Sequence, residues 1–376
     1  MFNLDHLVIP ILEFMTTKSY FLTEGFYLQV RFTRNVNMES ILEIETDLLP
    51  PEKIPTAPFE FPKAWNKSTI SERDYLFRFP RECVAELENL NIELQKNALP
   101  ALITRPDMYD LENCRGFMRQ IKDVLDNGVG FAVIDKLPID SASEEVATTM
   151  HWLLGSLLGR PVAQNYKDGK MLYEVKDLTE GKGKNMIGVR GSHTNADLSF
   201  HTDCSSNISP PDYVGLMCVR PALEGGESQL TNWYAVYNKL LETRPDLCAR
   251  GFQPILFDRQ LEHAENEPRV LSRPPFAFDG KISMRYSERL NRQGYKVANQ
   301  AMDQKTEEML SAISGILEDP EMRVDLNFKP GQIQWINNAS IGHRRTSYID
   351  HPGDPSLRRC LVRMWIRDKG KISYLG

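Results

Sequence analysis

Apolar residues recur with helical spacing in the first half of the chain. Between residues 71 and 97 they return about every 3.6 positions among charged residues, and the same pattern continues over 108–128 and 143–160. The second of these segments ends at Asn127-Gly128, a common stop signal for a helix. The pattern therefore predicts three helices before residue 160.

After residue 160 the pattern changes to short β-prone runs separated by Gly and Pro turns. The runs read DYVGLMCV, SQLTNW, QIQWINN and CLVRMWIR, and an earlier run, GFAVID, precedes them. Helical segments near 232–247 and 304–320 interrupt them. Helices followed by many short strands predict an α+β protein whose second half is a β-sandwich or barrel.

The first 60 residues differ from the rest of the chain. A strand-like run, FYLQVRF, leads into the Pro-rich stretch LLPPEKIPTAPFEFPKAW, which is typical of a connector. We interpret residues 1–60 as an N-terminal extension of unknown role and residues 61–376 as the main domain.

Composition excludes several kinds of partner. Of 376 residues 41% are hydrophobic and 26% charged, and a net charge of −6 without a basic cluster argues against nucleic acid. The six cysteines are scattered without a C-x-x-C pair, which indicates free thiols in a reducing compartment. The start of the chain lacks a signal-peptide pattern, and no apolar run reaches the ~20 residues of a membrane span. We expect a cytoplasmic protein with a small-molecule partner and no membrane contact; a homo-oligomer stays open.

Candidate chemistry begins at a repeated triplet, His193-Thr-Asn195 and His201-Thr-Asp203. The second copy follows ADLSF, and on an extended backbone residues i and i+2 leave the same face. A histidine and a carboxylate are two-thirds of the facial triad that binds Fe(II). The first copy offers a neutral amide at that place, which is a weak ligand for Fe(II).

The C-terminal part supplies the missing groups. His343 is followed by Arg359 and Arg363 on a β-prone segment, where residues 359, 361 and 363 share one face. Arginine binds a carboxylate through two parallel hydrogen bonds, so this face is a candidate carboxylate site.

Taken in order, these motifs resemble those of the Fe(II)/2-oxoglutarate oxygenases of the taurine dioxygenase and 2,4-D dioxygenase type. The gaps also suit that family, with Ser228 27 residues after His201 (228 − 201) and Arg359 16 after His343 (359 − 343). The resemblance covers about residues 125–370 and rests on four motifs: His201-Thr202-Asp203, Gly225-Gly226-Glu227-Ser228, His343 and Arg359.

The resemblance implies a double-stranded β-helix (jelly-roll) core at about 125–370, flanked by helices and preceded by a mainly helical region. It implies Fe(II) as cofactor, with 2-oxoglutarate and O2 as cosubstrates, and oxidation of an unactivated C–H with release of succinate and CO2. Hydroxylation is the default outcome, desaturation, epoxidation and cyclisation stay open, and the Asp203 carboxylate argues against halogenation. The iron ligands would be His201, Asp203 and His343.

The family pattern also implies the cosubstrate and substrate contacts. Ser228 and Arg359 would bind the far carboxylate of 2-oxoglutarate, with Arg363 as a second partner or a substrate contact. The substrate candidates lie mostly in a polar, Gly-rich segment, 180–197, which has the composition of an active-site lid. They are Asp197, His193, Arg190 and Asn338.

Several alternatives stay in view. His351 is a rival for His343 but lies in a Pro/Gly turn, and His6, His151 and His263 lack suitable neighbours. The stretch EGKGKN at 180–185 lacks the ending of a phosphate loop. A catalytically silent binding protein on the same fold, or a metal enzyme of cupin type that needs no 2-oxoglutarate, would carry similar motifs.

Overall fold

A computed structural model of the chain describes residues 18–23, 26–32, 41–44, 48–179, 181 and 191–375. Two β-sheets, two groups of helices and an N-terminal sheet make up this part. Within it, no helix is both long and apolar enough to cross a bilayer.

The larger sheet has seven strands in the order β4-β5-β17-β9-β20-β6, with β7 also paired to β20. These strands span Leu76–Phe77 (β4), Phe131–Ile134 (β5), Arg160–Pro161 (β6), Leu172–Val175 (β7), Tyr213–Arg220 (β9), Ile333–Asn337 (β17) and Cys360–Arg367 (β20).

The smaller sheet carries the predicted metal motif and runs in the order β16-β11-β18-β8. Its strands are Leu198–His201 (β8), Ser228–Asn232 (β11), Arg323–Leu326 (β16) and Ile341–Arg345 (β18). Short pairs flank the two sheets: Glu224–Gly225 (β10) with Tyr348–Ile349 (β19), and Phe276–Phe278 (β14) with Ile282–Met284 (β15).

Alternating side chains in the strands separate two apolar layers. In β5, Phe131 and Val133 pack with residues of both sheets, including Leu230 and Ile341, in the core between them. Ala132 and its neighbour Ile134 face the other way, into a layer formed with helices. The short apolar run GFAVID, from which a strand was predicted, is what a strand covered on both faces produces.

The predicted helices are present. Those against the larger sheet are Glu72–Tyr75 (α1), Arg81–Lys96 (α2), Glu112–Asp126 (α3) and Glu144–Leu158 (α4), and those of the second group are Trp233–Thr243 (α5), Pro245–Gly251 (α6), Glu288–Val297 (α7) and Gln304–Glu318 (α8). Helix α7 was not predicted, because its sequence, ERLNRQGYKV, has few apolar residues. It packs on β12 (Ile255–Asp258), where Gly294 allows close approach: a Cβ there would lie 2.8 Å from the Phe257 backbone nitrogen.

The N-terminal residues join the main part of the molecule through a sheet. Strands Lys18–Thr23 (β1), Phe26–Phe32 (β2) and Ile41–Ile44 (β3) extend a five-stranded sheet with β12 and Val270–Arg273 (β13), and β3 pairs parallel with β13. The run FYLQVRF is strand β2, as its pattern predicted. The segment interpreted as an extension thus contributes strands to a sheet that residues beyond 250 complete.

Candidate functional site

Two neighbouring strands bring the two motif histidines together. Strand β8 ends at His201, β18 runs antiparallel beside it, and the pairing register places His343 directly opposite His201. The centroids of the two imidazole rings are 4.3 Å apart. Residues 142 positions apart in the chain (343 − 201) therefore form one face of the smaller sheet.

Asp203 completes a cluster with these two rings. Its Oδ1 lies 3.4 Å from Nε2 of His201 and 3.6 Å from Nε2 of His343. The three ligand atoms all lie within 4.8 Å of one another, which is a separation that a single metal ion can bridge.

The chemistry of these donors fits Fe(II). Nδ1 of His201 lies 2.9 Å from the Ser199 carbonyl, which can only accept, so a metal-binding ring would donate this bond from Nδ1 and offer the lone pair of Nε2 to the metal. Two imidazole nitrogens and one carboxylate oxygen directed at one point are the donor set of the Fe(II) facial triad. The hydrogen bond to Ser199 orients the ligand ring, as partners of metal-bound histidines generally do.

The second oxygen of Asp203 is occupied by protein donors. Oδ2 accepts 2.6 Å from Trp365 Nε1 and 3.2 Å from Arg363 Nη1. Burial opposes ionisation of this carboxyl group, but the charge of Arg363 and the bonds to the two imidazoles outweigh it, and its pKa lies well below the usual range. Asp203 is thus an anion whose Oδ1 alone is left for a metal. Trp365 was not predicted as a site residue, because nothing in the sequence motif indicates that its indole N–H bonds the Asp203 carboxylate.

Asn338 has a different place from the one expected of a substrate contact. It is 2% exposed, its Oδ1 accepts 2.8 Å from the Asp203 backbone N–H, and its Nδ2 donates to the carbonyls of Asp203 (2.9 Å) and Pro211 (3.1 Å). The side chain therefore bonds the backbone that carries the Asp203 carboxylate, and a substrate contact by Asn338 stays a prediction from the sequence.

Asn338→Ala is expected to lower the free energy of unfolding by about 3 kcal/mol, because it leaves buried backbone groups of Asp203 and Pro211 without partners. Urea unfolding of the metal-free protein measures this loss. The exposed Asn127 provides a matched control, for which Asn127→Ala changes stability by less than about 0.5 kcal/mol. Equal effects of the two substitutions would contradict the role assigned to Asn338.

Arg359 lies at a second, strongly buried cationic site. It precedes β20, and a register shift between Cys360 and Leu361 separates it from Arg363. Its guanidinium carbon lies 4.9 Å from the centroid of the Tyr348 ring, and burial lowers its pKa. The two arginines thus contact different groups: Arg359 lies against the Tyr348 ring, and Arg363 donates to Asp203.

The Gly225-Gly226 turn lies close to the side chain of this arginine. Gly226 has a φ of +78°, and a Cβ on it would lie 3.2 Å from Arg359 Nε, so a glycine is required both by conformation and by space. The turn leads into β11, whose first residue, Ser228, is buried and donates 2.9 Å to Gln334 Oε1 of the facing sheet. Nε2 of Gln334 is buried and has no hydrogen-bond partner among the described residues. This donor suits a carboxylate ligand.

Arg345 is a further buried cation that the sequence analysis did not consider. It lies two residues after His343 on β18, and its guanidinium carbon is 5.0 Å from the same Tyr348 ring. Burial and the nearby charge of Arg359 lower its pKa to about 10. The i, i+2 spacing from His343 is the signal that could have identified it.

The first His-Thr-Asn triplet does not reach the metal cluster. Asn195 exchanges hydrogen bonds with the Tyr348 backbone: its carbonyl accepts at 3.1 Å and its Nδ2 donates at 3.2 Å. His193 stacks on Tyr173, with centroids 5.1 Å apart and planes at 13°. Arg190 and most of the predicted lid lie outside the described residues.

A cavity of about 450 Å³ opens beside the cluster. His201, Asp203 and Arg363 line its inner part, and Asp197 lies exposed at its wall, whereas Asn338 does not line it. Charged and polar side chains also line it: Arg259, Gln260, Glu262, Glu288, Arg289 and Arg292.

The remaining histidines are placed away from the cluster. His151 is buried in α4, where burial lowers its pKa to about 3, and His263 contacts backbone carbonyls of its own loop. His351 follows β19 and is half-buried, and His6 lies outside the described residues. None of the described ones joins the three-residue cluster.

Comparison with known proteins agrees with this geometry. The model of the family described as "Taurine catabolism dioxygenase TauD, TfdA family" matches residues 105–365. FR-33289 synthase of Streptomyces rubellomurinus is 29% identical over 261 residues, 68% of this chain and 74% of the relative. The taurine hydroxylase-like protein SAT17 of Stachybotrys chartarum is 28% identical over 313 residues, covering 80% and 77%.

A solved structure shares the fold. It is an asparagine oxygenase in complex with Fe(II), 2S,3S-3-hydroxyasparagine and succinate, with a TM-score of 0.59 and 17% identity. The match covers 80% of this chain and 94% of that one. The predicted α+β fold with a jelly-roll core is confirmed.

Proposed function

Because the chain belongs to the TauD/TfdA family of 2-oxoglutarate-dependent dioxygenases, we propose that His201, Asp203 and His343 bind its Fe(II) and that the cavity beside them takes a small polar substrate. The observation that carries this proposal is the convergence of two imidazole nitrogens on Oδ1 of a buried, ionised carboxylate. Fe(II) held by this set would supply oxidation of a substrate C–H by O2, with one oxygen atom passing to the substrate and the other to the succinate formed, together with CO2, from 2-oxoglutarate.

The protein groups have separate tasks in this reaction. Trp365 and Arg363 hold Oδ2 of Asp203, so that Oδ1 stays directed at the metal position. Arg359 would bind the far carboxylate of 2-oxoglutarate, and the Ser228 hydroxyl would turn from Oε1 of Gln334 to donate to the same carboxylate. Gln334 would add the amide donor that has no partner in the described part of the chain.

The cavity favours a polar substrate. Its volume of about 450 Å³ suits a small molecule, and both acidic and basic side chains line it. Asp197 stands at the exposed wall, where it would bind a cationic group of the substrate. Hydroxylation of a C–H close to the metal is the outcome that we propose; Arg190 stays a candidate contact from the sequence alone.

We also propose a cytoplasmic location. All six cysteines are free, and the five buried ones all have thiol pKa values raised by burial, as expected of structural thiols that need no oxidising compartment.

The function is tested by anaerobic addition of Fe(II) and 2-oxoglutarate to the purified protein. We expect a weak visible charge-transfer band from the chelated cosubstrate and, once O2 and candidate polar substrates are added, release of succinate. Absence of the band would exclude the proposed site. Substrate oxidation without 2-oxoglutarate would instead favour a metal enzyme of cupin type, and a band without any turnover would favour a silent binding protein.

A further inference from the structure

Hydrogen bonds to two different side chains fix the orientation of the Arg363 guanidinium. Its Nη1 donates to Oδ2 of Asp203 at 3.2 Å, and its Nε donates to Oε1 of Gln164 at 2.8 Å. Gln164 is itself buried and held in place, because its Nε2 donates to the carbonyls of Met171 (2.7 Å) and Arg363 (2.8 Å). The guanidinium therefore approaches the metal carboxylate from one direction.

Aromatic rings contact the same guanidinium. Its central carbon lies 4.6 Å from the centroid of the Trp365 ring and 5.5 Å from that of Tyr173. Tyr173 stands directly opposite Arg363 in the pairing of β7 with β20. Both distances are within the range of attraction between a cation and a π face.

The contacts continue from Tyr173 to a segment that lines the cavity. The ring of His193 stacks on that of Tyr173, and the carbonyl of His193 accepts a hydrogen bond from Leu178 N–H at 3.0 Å. His193 ends a short 3-10 helix, Gly191–His193, and Gly191 lines the cavity. A continuous series of contacts thus runs from this segment through Tyr173 and Arg363 to Asp203.

We propose that Tyr173 is a positioning residue for the metal carboxylate. Its ring holds Arg363 where Nη1 meets Oδ2 of Asp203, and this contact keeps Oδ1 directed at the two imidazoles. Because His193 stacks on the same ring, the segment Gly191–His193 and the proposed metal site share this support. The proposal rests on the proposed function, in which the cluster of His201, Asp203 and His343 binds Fe(II).

Metal affinity is the property that this role should change. Groups that orient a metal ligand without touching the metal typically alter affinity or activity by about 10- to 100-fold when they are removed. A ring that only filled space would alter stability and leave metal affinity as it is. The two roles are therefore separable by measurement.

The test compares Tyr173→Leu, which removes the π face, with Tyr173→Phe, which keeps it. Binding is measured by anaerobic titration of the metal-free protein with Co(II), followed through its visible absorption, and with Fe(II). We expect Tyr173→Leu to weaken binding of both ions by about 10-fold, and Tyr173→Phe to restore the affinity of the unaltered protein. Tyr166→Leu, at a tyrosine that is 52% exposed, is the matched control and should bind both ions unchanged.

A second pair of variants guards against misfolding of Tyr173→Leu. His193→Ala removes the outer ring and should lower metal affinity less than Tyr173→Leu does, whereas His193→Phe should retain the affinity. Unfolding midpoints of the metal-free variants show whether each is folded.

The outcomes separate the two hypotheses. Unchanged Co(II) affinity in folded Tyr173→Leu, or an equal loss in Tyr173→Phe, would overturn the positioning role while leaving the metal site intact. Failure of the unaltered protein to bind either ion would overturn the proposed function itself.

Discussion

His201→Ala is expected to abolish binding of Fe(II) at micromolar concentrations and to reduce succinate release by at least roughly 1,000-fold, more than the loss of an outer partner of a metal ligand costs. The substitution removes one of three donors that the structure directs at one point, with Nε2 of His201 3.4 Å from Oδ1 of Asp203. Two donors do not make a facial triad. Anaerobic Fe(II) titration and a succinate assay measure the two effects.

The repeated triplet supplies the control. His193→Ala truncates the histidine of the first copy, which stacks on Tyr173 and belongs to no metal cluster. It should leave the metal bound, with a dissociation constant within about 10-fold of the unaltered protein, and change substrate affinity more. Complete loss of metal in His193→Ala, or retention in His201→Ala, would reverse the assignment of the two copies.

Arg359→Leu is expected to raise the KM for 2-oxoglutarate by roughly 100-fold, since loss of one partner of a buried charge pair costs about 2–5 kcal/mol. The carboxylate would then enter a site that keeps Ser228 and Gln334 as neutral donors. Fe(II) affinity should be nearly unchanged, because the arginine is not part of the metal cluster. Succinate release at varied 2-oxoglutarate, together with Fe(II) titration, separates the two properties.

The Arg359→Leu substitution is also expected to affect the stability of the protein without ligand. Burial lowers the pKa of Arg359, which means that the protein without ligand disfavours its charge. We therefore expect Arg359→Leu to unfold at the same or a higher urea concentration in the absence of ligand. Arg358→Leu, at the preceding half-buried residue, should leave the KM for 2-oxoglutarate unchanged. An equal rise in both variants would show that the effect is not specific to the proposed carboxylate site.

The parts of the site that could be predicted are those set by local geometry. The strand character of GFAVID follows from its short run of apolar residues. The common direction of the His201 and Asp203 side chains follows from the period-2 alternation of extended chains. The family pattern then pointed to His343, which the strand register places opposite His201.

The parts that could not be predicted depend on contacts between distant segments. Asn338 bonds the backbone of Asp203, 135 residues away, and its sequence neighbours carry no sign of this. Simple alternation places Arg359 and Arg363 on one face of the strand. The register shift between Cys360 and Leu361, at the start of β20, interrupts that alternation. Helix α7 was missed because close backbone approach at Gly294, rather than an apolar stripe, positions it.

Among the residues that the structure describes, strand β8 lies at the edge of its sheet and pairs with β18 alone. During synthesis the ribosome must therefore add 142 residues (343 − 201) after His201 before its partner strand exists. At about 5–20 residues per second this takes roughly 7–28 s. Throughout that interval the nascent chain exposes an unpaired strand edge that could join another chain. Binding of a metal by the proposed triad thus has to wait until His343 has been synthesised, and a polypeptide that terminates before this residue would lack one of the three ligands.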